Sequence, residues 1–223
     1  MGPAFIVPIN MQIKLQQVFP NFLEENKISQ SGIWKKEIVF NPQEQVEIIA
    51  PSGSGKTSLV HFLYGLRNDY SGQILYDEKA INQFNAEDFS TYRQSYLSVV
   101  FQDLRLFGDQ TVRQNLEIKR LLQPYHHHSP IEMMAARLGI QNKLDKPCKT
   151  CSYGEQQRIA IIRSLLQPFE FLLLDEPFSH LDENNRKKAM QLIEEEAAMR
   201  KAAILLADLK PIEYFNADKK IFL

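Results

Sequence analysis

The chain has 223 residues, 44% hydrophobic and 24% charged, enough for one or two domains with a sizeable core. Its 26 basic and 27 acidic side chains leave a net charge of -1, which argues against a nucleic-acid binder that works by neutralising phosphates. No apolar run is long enough for a membrane span, Met1 to Asn10 lacks a secretory signal's basic start, and two cysteines make no disulfide framework, so a cytoplasmic protein is expected.

Met11 is an alternative start, with Met1 to Asn10 then an extension. Ile13 to Val18 alternates apolar and polar residues, as a half-buried strand does. Val46 to Ala50 is a short apolar strand that feeds a Gly-Ser turn. From Thr57 to Leu66 the apolar residues fall at helical spacing, and Gly72 to Tyr76 and Tyr96 to Phe101 read as further strands. Thr111 caps a helix through Leu122, and a loop with Pro124, His126, His127 and His128 follows. Ser129, Pro130 and Glu132 spell a capping box with proline at the first helical position, and Gly139 ends that helix. Ser152 and Glu155 repeat the box ahead of a helix toward Leu166. Phe171 to Leu174 is a buried strand ending in Asp175 and Glu176, Glu183 to Met199 an amphipathic helix, and Ala203 to Ala207 the next strand. Strands alternating with helices predict an α/β fold with a largely parallel sheet, and the helices between about residues 104 and 150 look inserted. Met133 and Met134 are expected to pack within that insert, and Glu194, Glu195 and Glu196 to form a solvated helix face. Cys148 and Cys151 near three histidines allow a zinc site, but reduced thiols beside a solvated loop are the simpler reading.

The chemistry concentrates in two places. Ala50-Pro51-Ser52-Gly53-Ser54-Gly55-Lys56-Thr57 has the strand–loop–helix pattern of a phosphate-binding loop. Small residues let the loop N–H groups wrap phosphate oxygens, and the helix N-terminus points partial positive charge at the same anion. Ser52, Gly53, Ser54, Gly55, Lys56, Thr57 and Ser58 are the expected ATP-binding set, with Lys56 reaching the β- and γ-phosphates and Thr57 a ligand for Mg²⁺. The second place is the strand end at Asp175 and Glu176: Asp175 would hold Mg²⁺, and Glu176 would act as general base on the attacking water.

Between these lies Cys151-Ser152-Tyr153-Gly154-Glu155-Gln156-Gln157-Arg158, which resembles the signature of the ATP-binding cassette (ABC) family, Leu-Ser-Gly-Gly-Gln/Glu-Gln-Gln-Arg. The resemblance takes in the phosphate loop, Gln102 in Val99-Val100-Phe101-Gln102-Asp103, the signature, the acidic strand and Ser179-His180-Leu181-Asp182, in the family's order and over nearly the whole chain. It implies a single domain over residues 1–223. That domain would have a P-loop NTPase (RecA-like) core, a small antiparallel β subdomain and an inserted α-helical subdomain at about 104–150.

It implies further that two cassettes, as a homodimer or a heterodimer, sandwich ATP head to tail. Ser152 and Gly154 would then bind the partner's γ-phosphate, Gln102 would touch Mg²⁺ or the lytic water, and Asp182 would bridge the two sites. Lys56, Gln102 and Glu176 form the implied catalytic set, and Thr57, Gln102 and Asp175 the implied metal set. Phe22 is the candidate for the aromatic that stacks on adenine, with a core phenylalanine as the alternative. The implied partner is a membrane permease in a separate chain, which would hold this subunit at the inner face of the membrane; no nucleic acid is expected. Phe101 to Phe107 resembles the lipoprotein-release and efflux branches. The pattern breaks at three positions: Ala50 and Tyr153 replace glycines, and Ala207 stands where the family has its switch histidine. Slow hydrolysis is therefore expected, and a nucleotide-gated regulatory module or a non-transport ATPase is the alternative.

Overall fold

The computed structural model describes residues 11–126 and 130–223; Met1 to Asn10, His127, His128 and Ser129 lie outside the described residues. In chain order the elements are β1 (Ile13–Pro20), α1 (Glu25–Gln30), β2 (Glu37–Phe40), β3 (Gln45–Ile49), α2 (Lys56–Leu63), β4 (Tyr70–Tyr76), β5 (Lys79–Ala80) and α3 (Ala86–Ser95). They continue with β6 (Leu97–Val100), α4 (Val112–Leu122), α5 (Ile131–Arg137), α6 (Tyr153–Leu165), β7 (Phe171–Asp175), α7 (Glu183–Arg200), β8 (Ala203–Asp208) and β9 (Lys219–Phe222).

The strands form two sheets. One is parallel throughout, in the order β6-β7-β8-β3-β9. The other is antiparallel, in the order β2-β1-β4-β5. The result is the expected α/β core on a parallel sheet, with a separate antiparallel β layer.

A parallel strand covered on both faces needs apolar side chains pointing both ways, and β7 supplies them. Leu173 faces a core that includes Val46, Leu59 and Phe62, so α2 and the antiparallel sheet cover that side. Leu172 and Leu174 face the opposite core, with Ile161, Ile162 and Ile193 of α6 and α7. The two cores meet only through the sheet, and the parallel strands deliver their C-terminal ends to one edge.

The stretch from 104 to 150 carries α4, α5 and short 3-10 turns. The capping box at Thr111 and Gln114 opens α4. Gly139 (φ +68°) closes α5, with its N–H on Ala136 and the Ile140 N–H on Ala135, a Schellman motif. The start of α5 differs from expectation. Pro130 precedes the helix as its cap residue, Ser129 lies outside the described residues, and the Glu132 carboxylate pairs with Arg113 instead of turning back to the cap. Met134 packs inside, but Met133 is exposed.

The acidic run on α7 is not uniformly solvated, because Glu196 is buried beside Arg200 one helical turn on. The Arg200 guanidinium lies over the Tyr125 and Phe169 rings, at 3.9 and 4.6 Å, so each charge is buried with a partner and aromatic cover. His126 joins the same pair, with Nε2 3.2 Å from Glu196. Cys148 and Cys151 are buried free thiols.

Candidate functional site

The loop from Ala50 to Gly55 leaves the C-terminal end of β3 and opens α2. Gly53 (φ +77°) and Gly55 (φ +95°) are left-handed, and a Cβ on Gly55 would meet the Trp34 ring at 3.1 Å. The first bond of α2 runs from the Leu59 N–H to the Gly55 carbonyl at 2.8 Å, so the amides of Lys56, Thr57 and Ser58 have no partner within the helix. Loop carbonyls are held from outside: the Trp34 indole N–H donates to Ser54 at 3.1 Å and Lys27 Nζ to Gly53 at 3.4 Å. Anchoring the carbonyls there leaves the amide side for an anion. Trp34 and Lys27 are contributors that sequence spacing did not reveal, since they reach the loop only through the fold.

Most of the expected residues meet at one cavity of about 260 Å³, lined by Phe22, Ser52, Gly53, Gly55, Lys56, Thr57, Ser58, Gln102 and Glu176. Ser54 is buried under the loop, its hydroxyl donating to the Pro51 carbonyl at 2.8 Å. Phe22 is 54% exposed, so the core reading of this residue does not hold. A larger cleft of about 530 Å³ between Arg67, Tyr70 and Phe89 is lined by no carboxylate.

The acidic pair sits at the end of β7. Glu176 has φ +47°, an uncommon left-handed conformation for a residue with a side chain. Three bonds hold its backbone: its N–H donates to the Ala207 carbonyl at 2.9 Å, and its carbonyl accepts from Gln157 Nε2 at 3.1 Å and from the Ser179 N–H at 3.4 Å. Its carboxylate accepts from Lys56 Nζ. The Thr57 hydroxyl donates to Gln102 Oε1 at 3.3 Å. Asp175 is wholly buried, and neither of its oxygens accepts a hydrogen bond of ordinary geometry. Burial pushes its carboxyl up to about 6, against the pull of the nearby Thr57 hydroxyl and Lys56 ammonium. Burial also raises Asp208, and the neighbouring Glu176 charge adds to the effect.

Ser152 and Gly154 stand away from this cavity, at the N-terminus of α6. The Ser152 hydroxyl accepts from the Glu155 N–H at 3.3 Å, and the Glu155 carboxylate accepts from the Ser152 N–H at 2.8 Å. The first bond of α6 is Gln156 N–H to Ser152, so the Tyr153 and Gly154 amides are free of the helix. A Cβ on Gly154 would lie 2.9 Å from the His180 carbonyl, so the 179–182 turn packs directly on the helix start. Gln157, buried below, donates to Ser179 Oγ at 3.1 Å and accepts from the His180 N–H at 3.0 Å. The Asp182 carboxylate caps α7, taking the Asn185 N–H at 2.9 Å and its side-chain amide at 2.6 Å. Tyr153 folds back on its own chain. Its hydroxyl donates to the Gln102 carbonyl at 3.0 Å and its ring meets His180 edge-on at 4.3 Å.

Ala207 lies inside β8 between Asp175 and Ile48, completely buried. It presents no surface to the cavity, and the first exposed side chain past the strand is Leu209. The described histidines are elsewhere: His61 against Phe101, His126 on Glu196 and His180 on Tyr153.

Residues 36–179 match the family model described as ABC transporter. The chain belongs to the ABC transporter family. Among curated ABC proteins it is 34% identical over 171 residues to the lipoprotein-releasing system ATP-binding protein LolD of Buchnera aphidicola, covering 75% of this chain and 71% of that one. It is 31% identical over 171 residues to LolD of Wigglesworthia glossinidia, covering 75% and 74%. The macrolide export ATP-binding/permease protein MacB of Vibrio parahaemolyticus is 30% identical over 155 residues, 68% of this chain but only 24% of that longer protein. The fold superposes on the bacterial ABC transporter cassette MJ0796, solved as a dimer, with a TM-score of 0.77 over 95% of this chain and 94% of that one, at 23% identity.

Proposed function

We propose that this protein is the ATP-binding and ATP-hydrolysing cassette that drives a membrane permease. One observation carries the reading: Lys56, Thr57, Gln102 and Glu176 converge on one cavity at the carboxyl edge of a parallel sheet, with the orphaned Asp175 carboxylate beneath. Loop amides and Lys56 would bind the triphosphate. A phosphate would draw Lys56 from Glu176, leaving that carboxylate to take a proton from water.

The donor set fits Mg²⁺, since a buried carboxylate without partners, a hydroxyl and an amide oxygen are the hard ligands it takes. Thr57, Gln102 and Asp175 would hold the ion, whose charge, when bound, would offset that of the β- and γ-phosphates.

The free amides at Tyr153 and Gly154, with the Ser152 hydroxyl, would form a second anion-binding end outside the lining of the first cavity. That arrangement supports a head-to-tail dimer, of two copies or of two different cassettes, in which each signature completes the other's site. The partner in the membrane would be a permease chain, with this subunit at the cytoplasmic face.

Turnover would be slow, because Ala207 stands in the place of the family's switch histidine and brings no imidazole to the γ-phosphate. Tyr153 across Gln102 favours a second reading, a nucleotide-gated regulatory module that binds ATP and barely hydrolyses it.

The test is Glu176→Gln with Mg-ATP, followed by size-exclusion chromatography. An ATP-dependent dimer is expected. A monomer at saturating ATP overturns the symmetric engine. Recovery of a permease chain with the protein from detergent-solubilised membranes tests the partner.

A further inference from the structure

Phe22 is a large ring left in water at the mouth of the phosphate-loop cavity, yet it is not loosely held. The Arg67 guanidinium lies 4.9 Å from its centroid, within cation–π range, and 5.7 Å from that of the buried Phe62. Three bonds fix that guanidinium. Nε donates to Asp69 Oδ1 at 2.8 Å, Nη2 donates to the other Asp69 oxygen, and Nη1 donates to the Ser58 hydroxyl at 3.1 Å. Ser58 belongs to the first turn of α2, the helix that the phosphate loop opens. The turn bearing Phe22 is stapled to the same segment. The Asn21 N–H donates to the Asp69 carbonyl at 3.1 Å, and the Asn21 side chain accepts from Ser71 at 2.8 Å. A planar cation thus covers one side of the ring and ties it to the phosphate loop, while the ring still lines the cavity.

We propose that Arg67 is a positioning residue for base recognition. It fixes Phe22 at a set height above the phosphate loop, so that the nucleobase stacks on the open face in a guanidinium–phenyl–base sandwich. The inference rests on the reading that Phe22 meets the base. Stacking uses the π-face that every base has, so the platform supplies affinity with little choice between adenine and guanine.

The experiment measures Mg-ATP and Mg-tripolyphosphate binding by calorimetry for the wild type, Phe22→Ala, Arg67→Ala, Arg67→Lys and the double alanine variant. Phe22→Ala is expected to weaken ATP by about 5- to 50-fold. Arg67→Ala is expected to weaken it by about 2- to 5-fold, both variants leaving tripolyphosphate unchanged. Arg67→Lys keeps the charge but loses the fork, and should fall between Arg67→Ala and wild type. In the Phe22→Ala background, Arg67→Ala should add nothing, because Arg67 acts through the ring. Equal loss of ATP and tripolyphosphate, or additive losses in the double variant, overturns the proposal in favour of a structural arginine. An unaffected Phe22→Ala overturns the base platform itself, whereas an effect of Phe22→Ala without one of Arg67→Ala or Arg67→Lys overturns only the role of Arg67.

Discussion

Asp175→Asn should make the ligand-free protein more stable. The carboxyl is wholly buried and raised from its ordinary 3.8 to about 6, so keeping it ionised in the folded state costs about 3 kcal/mol. The amide has the same shape but is left short of partners, a penalty of about 1 kcal/mol. The net gain is about 2 kcal/mol at pH 7–8, or a Tm rise of about 4–8 °C in a chain of this size. The sign follows from proton linkage. Between pH 4 and 6 the folded state holds a proton that the unfolded chain has released, so the wild type loses stability as pH rises through that window. The gap between variant and wild type should therefore open across the same window, with no advantage at pH 4. Thermal unfolding of both proteins in chelator from pH 4 to 8 reads this directly. A gap independent of pH, or a less stable variant at pH 8, would refute the reasoning. Adding Mg-ATP should raise the Tm of the wild type far more than that of the variant, since the lost carboxylate is the proposed metal ligand.

Ala207→His should lower stability by about 1–3 kcal/mol through overpacking; a faster and equally stable Ala207→His would show that the buried position does reach the nucleotide. Trp34→Phe leaves the Ser54 carbonyl without its indole donor, and ATP titration should show affinity weaker by about 5- to 10-fold, whereas unchanged affinity would sink the idea that outside anchoring aims the loop. Leu173→Ala opens a hole in the sheet face under α2, and denaturant unfolding should report a loss of about 2–5 kcal/mol.

What the sequence disclosed depended on how local the signal was. The glycines at 53 and 55, the cap at Thr111, the capping box at Ser152 and the leucines of β7 each carry their structural reason within a few residues, and all appear where their patterns place them. Elements with little apolar patterning escaped notice. Helix α1 buries only Ile28, α3 buries nothing, and β2 and β9 bury one residue each. For α3 a usable signal existed, the Asn85–Asp88 capping box. Contacts between segments distant in sequence had no signal at all. Trp34 on the phosphate loop, Arg67 under Phe22, Gln157 beneath the Glu176 turn and Tyr153 on Gln102 all depend on the completed fold.

The place of β3 in the parallel sheet has a consequence for how the protein is made. The strand that feeds the phosphate loop is paired on both sides by β8 and β9, which begin about 150 residues or more after β3 ends. At roughly 5–20 residues per second, a ribosome takes about 8–30 seconds to deliver the first of them. Throughout that interval Val46, Ile48 and Ile49 belong to an apolar strand with two open edges, the kind of segment that nascent chains pair wrongly. The nucleotide pocket is therefore completed late in synthesis, and slow translation between β3 and β8 lengthens the period in which its central strand needs protection from neighbouring chains.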